Sequence, residues 1–199
     1  TGESGQWGDF YGLDDLFTES PTVVNGFISV YQNWITSTGV DGFRIDTAKH
    51  VNEGFWKAFL PAMRTAASSV GKSTFPMWGE VWDGNVNNTS YWMKNAGWTE
   101  LLDFPFQGSA LDFVNNRNSA SMTSLFNNDD LYVTANTSAN NMGTFLGNHD
   151  MGRVGLFISQ ATTNTTTMLS RDKLAHALMF GVRGNPIVYY GDEFGLRGT

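Results

Sequence analysis

Three acids stand where an apolar run gives way to polar chain: Asp46 after GFRI, Glu80 after PMWG, and Asp150, preceded by His149, after FLGN. A carboxyl group attacks as a nucleophile when ionised and donates a proton when neutral, and two of them flanking one bond are what retaining glycoside hydrolysis uses. If Asp46 and Glu80 end neighbouring parallel strands, about 4.8 Å separates those strands. That matches the roughly 5 to 5.5 Å between the carboxyls of a retaining pair.

Arg44 lies two residues before Asp46, so strand periodicity puts both side chains on one face, where the guanidinium favours the ionised, nucleophilic form of Asp46. Like-charge repulsion from Asp46 and Asp150 favours the protonated form of Glu80, suited to an acid. Each feature also has a plainer reading. An Arg and an Asp two apart on a strand form structural ion pairs. His149 with Asp150 could be a satisfied hydrogen-bonded pair or half of a metal site. Lys49 and His50 read as loop residues, and Trp78, Trp82, Phe104, Tyr189 and Tyr190 as packing aromatics as readily as sugar platforms.

Regular elements must hold these positions. Ser20–Pro21 is a helix start, with Ser as the cap and Pro at the first helical position. Val24, Phe27, Ile28, Tyr31, Trp34 and Ile35 then form an apolar face that Gly39 ends. GVDGFRID (39 to 46) reads as a strand, and a helix follows from about Glu53 to Ser69. Its buried face is Phe55, Trp56, Phe59, Leu60, Met63, Ala66 and Ala67, and Pro61 is expected to kink it. FPMWGEVW (75 to 82) is a second strand, followed by an Asn-rich loop to Ser90, and TELLDFPF (99 to 106) is a third. Asn127 to Asp130 mark a turn within an otherwise unordered stretch from 107 to 142. TFLGNHD (144 to 150) is a fourth strand, Ser170 opens a helix carrying Leu174, Ala177 and Leu178, and NPIVYYGDE (185 to 193) ends the series. Strand and helix in alternation imply an α/β class with parallel strands, as an open sheet or a barrel. Acids at strand carboxyl ends favour the barrel. With no repeat and no low-complexity linker, residues 1–199 read as one domain.

Composition removes other classes. In 199 residues, 12 Lys and Arg face 19 Asp and Glu, a formal charge of −7 without a basic run, which opposes a nucleic-acid partner. No apolar run approaches the roughly 20 residues of a membrane span. Without cysteine there are no disulfides and no thiolate metal sites. With 41% hydrophobic residues the chain can build a sizeable core. Thr1 in place of Met, and a loop-like first segment, predict that the chain begins partway into a larger protein. Asn-x-Ser/Thr triplets start at Asn87, Asn88, Asn136 and Asn164, as they readily do in a chain so rich in Asn and Thr.

Taken jointly, the motifs resemble those of the α-amylase family of retaining glycoside hydrolases. GFRIDTAKH (42 to 50) is similar to the family's nucleophile motif, GEVW (79 to 82) to its acid/base motif and FLGNHD (145 to 150) to its third carboxylate motif, in the family's order. GLDDLFTESPTVV (12 to 24) and GNPIVYYGDE (184 to 193) resemble segments of its third and last barrel units.

The resemblance implies a partial (β/α)8 barrel, about strands 4 to 8, lacking the early strands, the family's first Asp and Asn-His motif, and a later β domain. It implies Asp46 as nucleophile, Glu80 as acid and then base, and Asp150 as the carboxylate that binds the distorted sugar, all three converging on one glucosyl ring. Arg44 and His149 would contact the reacting site. Lys49 and His50 match leaving-side positions and look more like those of endo-acting amylases than of exo-acting glucosidases; Trp82 joins them as a substrate-binding candidate. Asp15 and the main-chain carbonyl of His50 are similar to two ligands of the family's structural Ca²⁺, but the upstream Asn ligand has no counterpart. The implied activity is retaining, endo-type hydrolysis of α-1,4 bonds in starch-like α-glucans by a secreted enzyme. A transglycosylase or α-1,6-acting relative uses the same chemistry, and a non-catalytic carbohydrate-binding remnant is the rival from another class. Five strands of eight would leave open sheet edges, so aggregation of the isolated chain is expected.

Overall fold

The computed structural model describes residues 4–198. They form two compact units, one of Thr1–Trp82 with Asn88–Leu101, the other of Asp83–Asn87 with Leu102–Thr199.

In the first unit, α1 (Pro21–Thr38) starts at a proline and ends where Gly39 takes φ 72°, the left-handed value only glycine adopts freely. Ser20 makes no side-chain cap bond, contrary to expectation, and Trp34 points into solvent, leaving Ile35 as the fully buried side chain of the helix. Strand β1 is Phe43–Ile45, shorter than the apolar run suggests. Helix α2 (Glu53–Ser69) has the expected bounds and buries the seven expected side chains, running on through Pro61. Asn52 caps it by accepting the Phe55 N–H at 3.0 Å, and donates to Thr18 Oγ1 at 2.8 Å. Strands β2 (Met77–Gly79) and β3 (Glu100–Leu101) complete a three-stranded parallel sheet in the order β1-β2-β3. Helix α3 (Val86–Ala96) replaces the loop expected up to Ser90 and buries Trp92, Met93 and Ala96. Edge-to-face rings tie α1 and α2 to the sheet: Tyr31 meets both Phe43 and Phe59, and Phe27 meets Phe55, with centroids 5.1 to 5.6 Å apart.

The second unit pairs β4 (Gly143–Phe145) with β5 (Asn185–Ile187), again in parallel, and Leu102 bridges Gly143. The run Phe104–Phe106 does not extend a strand as expected. It opens α4 (Phe104–Val114), because Asp103 accepts the Phe106 N–H at 3.0 Å and Pro105 suits the first helical turn. Residues 107 to 142 resolve into the rest of α4, α5 (Ser121–Phe126) and two single turns of 3-10 helix, Asp129–Tyr132 and Ala139–Asn141. Two helices precede β5 where one was expected. They are α6 (Val154–Ala161) and α7 (Thr165–Gly181), the latter capped by Asn164 rather than opened at Ser170. It buries Ala175 and Met179, while Leu174 is exposed. Phe106, Leu111, Leu146, Ile158 and Met179 lie in the core of this unit. Arg183 joins the fully buried Asp103 carboxylate to Asp129. Burial disfavours its charge, but the two carboxylates outweigh this and hold its pKa above the ordinary arginine value.

Candidate active site

Ile45 of β1 pairs with Gly79 of β2, so Asp46 and Glu80 are the next residues on adjacent parallel strands, both at carboxyl ends. Gly79 is required by packing. A Cβ there would lie 2.8 Å from the Trp98 ring and 3.0 Å from Leu101, and Trp98 is wedged against Trp56 with ring centroids 4.7 Å apart. Without a side chain at 79, β2 lies close against that ring and delivers Glu80 beside β1.

The electrostatics centre on Arg44. Its Nη1 reaches Asp46 Oδ1 at 2.5 Å, and its Nη2 faces Glu80 Oε1 at 3.3 Å. One guanidinium therefore serves both carboxylates, not Asp46 alone as the strand parity suggests. The two acids differ in exposure: the Asp46 side chain is 62% accessible and the Glu80 side chain 8%. Main-chain bonds cross-tie the strand ends. Glu80 N donates to Ile45 O at 2.8 Å, and Thr47 N donates to Glu80 Oε2 at 2.8 Å.

After Asp46 the chain makes a single 3-10 turn, Ala48–His50. Lys49 Nζ donates to the Trp82 carbonyl at 2.6 Å, linking the two motifs, and the Trp82 side chain is 46% exposed. The His50 ring lies against Phe10 at a tilt of 32°, centroids 4.7 Å apart, with Nδ1 3.1 Å from Gly5 O. Asp46, Thr47 and His50 border an open cavity of about 590 Å³, also lined by Asp14, Asp15 and Tyr11 and backed by Ile45, Phe55 and Phe59. Among the other aromatic candidates, Phe104 is core, whereas Tyr190 is exposed and, with Tyr189, faces the Arg153 guanidinium.

Asp150 and His149 belong to the second unit. There Asn148 and Gly152 bond each other's main chain at 3.2 and 2.9 Å, and the Asn148 side chain accepts from Asp150 N at 3.0 Å and Met151 N at 2.8 Å, which fixes the turn that carries Asp150. Gly147 permits it, since a Cβ there would sit 2.3 Å from Gly152 O. His149 Nε2 lies 3.4 Å from Asp150 Oδ2.

Sequence reasoning brought out the side chains and missed the main chain. Thr47 and Asn148 carried no role in it, although Asn148 stands inside the FLGNHD motif and a side-chain acceptor two residues before a key acid is a recognisable turn signal.

The model of the α-amylase catalytic domain matches residues 7–199. The chain belongs to the α-amylase family. It is 43% identical over 201 residues to an α-amylase of Streptomyces lividans, covering 100% of this chain and 22% of that protein. It is 30% identical over 203 residues to a cyclomaltodextrin glucanotransferase of Paenibacillus macerans, covering 100% and 26%. The solved α-amylase of Geobacillus thermoleovorans, a complex with acarbose, superposes with a TM-score of 0.83 at 29% identity, over 96% of this chain and 41% of that one. The chain thus spans about a quarter of the curated relatives' length. Its α/β fold is part of the (β/α)8 barrel of the α-amylase family, with the five expected strands present.

The donors described here do not by themselves complete a site for the family's calcium. Asp15 and the His50 carbonyl supply two oxygens, and nearby Asp9 Oδ1 is engaged by Asp15 N at 3.1 Å. Among the described residues no three His, Asp or Glu side chains group closely enough to hold an ion. Ca²⁺ takes six to eight oxygens. Asp15 and the His50 carbonyl by themselves leave that shell incomplete.

Proposed function

We propose that the protein hydrolyses α-1,4-glucosidic bonds within starch-like glucans, with retention of anomeric configuration. The observation that carries this is the shared guanidinium: Arg44 contacts an exposed Asp46 and a buried Glu80 on the ends of adjacent parallel strands. Strands about 4.8 Å apart suit the short carboxyl separation of a retaining mechanism.

The ionised Asp46 forms a bond to C1 of the glucosyl ring as the bond from C1 to the leaving sugar's oxygen breaks, and the proton of Glu80 passes to that oxygen. Water then attacks C1 of the glycosyl–Asp46 ester, gives its proton to the Glu80 carboxylate and frees Asp46. Exposure fits these roles, since a nucleophile must meet the sugar and Asp46 is the more open of the two carboxyls. Lys49, His50 and Trp82 of the first unit form the leaving side. A polymeric substrate implies a secreted enzyme.

The identity with a glucanotransferase along the whole chain supports a second reading, in which a sugar hydroxyl replaces water at the same intermediate. A blocked maltooligosaccharide, with the anomer followed by NMR and the products by chromatography, tests both. Hydrolysis gives the retained α-anomer as first product, and transfer gives longer chains. Glu80→Gln is expected to lower kcat by about 10²- to 10⁴-fold, and Asp46→Asn by at least as much. Wild-type rates in both variants remove the catalytic assignment.

A further inference from the structure

Thr47, directly after Asp46, sits at φ 51°, ψ 31°. This is the left-handed region, where a β-branched side chain is a genuine outlier. Such conformations persist where the surroundings hold them, and they cluster at functional sites. Here the conformation directs the Thr47 N–H across to the neighbouring strand, where it meets Glu80 Oε2 at 2.8 Å. The other oxygen, Oε1, has the longer contact, 3.3 Å to Arg44 Nη2.

We propose that Thr47 is a positioning residue of the acid/base group: its left-handed backbone aims an amide at Oε2 and so holds the carboxylate that Glu80 becomes when its proton moves to the leaving oxygen. This rests on the hydrolytic reading above. When the Glu80 proton moves to the leaving oxygen, the carboxyl becomes an anion and the Thr47 bond becomes charge-assisted, hence stronger. The amide thus favours the state after proton transfer over the state before it, which is the condition for accelerating that step.

The test replaces Thr47 by its α-hydroxy acid analogue, which exchanges the N–H for an ester oxygen and keeps the side chain. Two substrates are compared by kcat/KM. A blocked maltooligosaccharide has a sugar leaving group that needs the proton, whereas α-maltosyl fluoride releases a far weaker base with little need of one. The ester protein is expected to lose about tenfold or more on the oligosaccharide, as for a lost hydrogen bond to a charged group, and less than about threefold on the fluoride. Thr47→Gly, which keeps the N–H and takes positive φ freely, is expected to keep the ratio of the two kcat/KM values within about threefold of the wild-type ratio, whatever its overall rate. In the ester protein, equal losses on the two substrates, or none on either, overturn the proposal. A wild-type protein inactive on both substrates refutes the hydrolytic reading itself, and this inference with it.

Discussion

Gly79→Ala is the sharpest test of how β2 delivers Glu80. The added Cβ would meet two atoms of the Trp98 six-membered ring at 2.8 and 2.9 Å and Leu101 Cδ2 at 3.0 Å. Ordinary contact begins near 3.4 Å, so something must move by about half an ångström. Trp98 is 1% exposed and lies against Trp56, and Leu101 is fully buried on the paired strand. Neither has room to yield, and overpacking of this kind costs about 1–3 kcal/mol. Removing a glycine from the unfolded chain returns about 0.4–1 kcal/mol, so a net loss of about 1–2 kcal/mol remains. For a chain of this size that lowers Tm by roughly 2 to 8 °C. Trp98→Phe, which shortens the ring, relieves the clash. The assay is thermal unfolding of wild type, both single variants and the double variant, followed by far-UV circular dichroism. The double variant is expected to be more stable than the sum of the singles by about 1 kcal/mol or more, within the range for residues in contact. Strict additivity would refute the claim that the Trp98 ring is why position 79 lacks a side chain.

Two further outcomes concern the supporting structure. In the second unit, burial pushes the Asp192 carboxyl up to about 6 against the pull of His176 and Arg153, while Asp172 and Glu193 push the same way as burial. The hydrogen bond that His176 donates to the Asp172 side chain raises its pKa above the ordinary value. A folded-state pKa above the unfolded one contributes stability below the unfolded value and loses it as pH rises through the folded value. Both groups therefore weaken this unit from about pH 4 towards pH 8. Urea midpoints at pH 5 and pH 8 should show this fall, and Asp192→Asn should flatten it; an unchanged pH slope in that variant contradicts the assignment. Asn52→Ala removes the α2 cap and the partner of Thr18, and is expected to cost about 1–2 kcal/mol, read as a lower urea midpoint. A loss under about 0.3 kcal/mol would show that α2 needs no such cap.

How much of this could be read from residue types depends on the range of the force involved. Helix α2 was legible down to each buried side chain because a 3.6-residue period and a helix-compatible length act within one segment. The helix begun at Phe104 was misread as strand because Phe-Pro-Phe is apolar and short, although Asp103 followed by Pro105 is itself a helix start. Trp34 shares the spacing of the α1 apolar face yet stays exposed, since periodicity defines a face and not what covers it. The same distinction runs through the site. Arg44, Asp46 and Glu80 were visible because side-chain chemistry and strand parity are properties of single segments. That one guanidinium spans both carboxylates required the Ile45–Gly79 register, which joins segments 34 residues apart. The Thr47 contact was out of reach altogether. Every residue except proline carries the same amide, and its direction is set by a backbone angle that the strand ends impose on a threonine with no preference for it. Acids of a site built this way are found from sequence, whereas the main-chain donors that face their oxygens emerge only once the strands are paired.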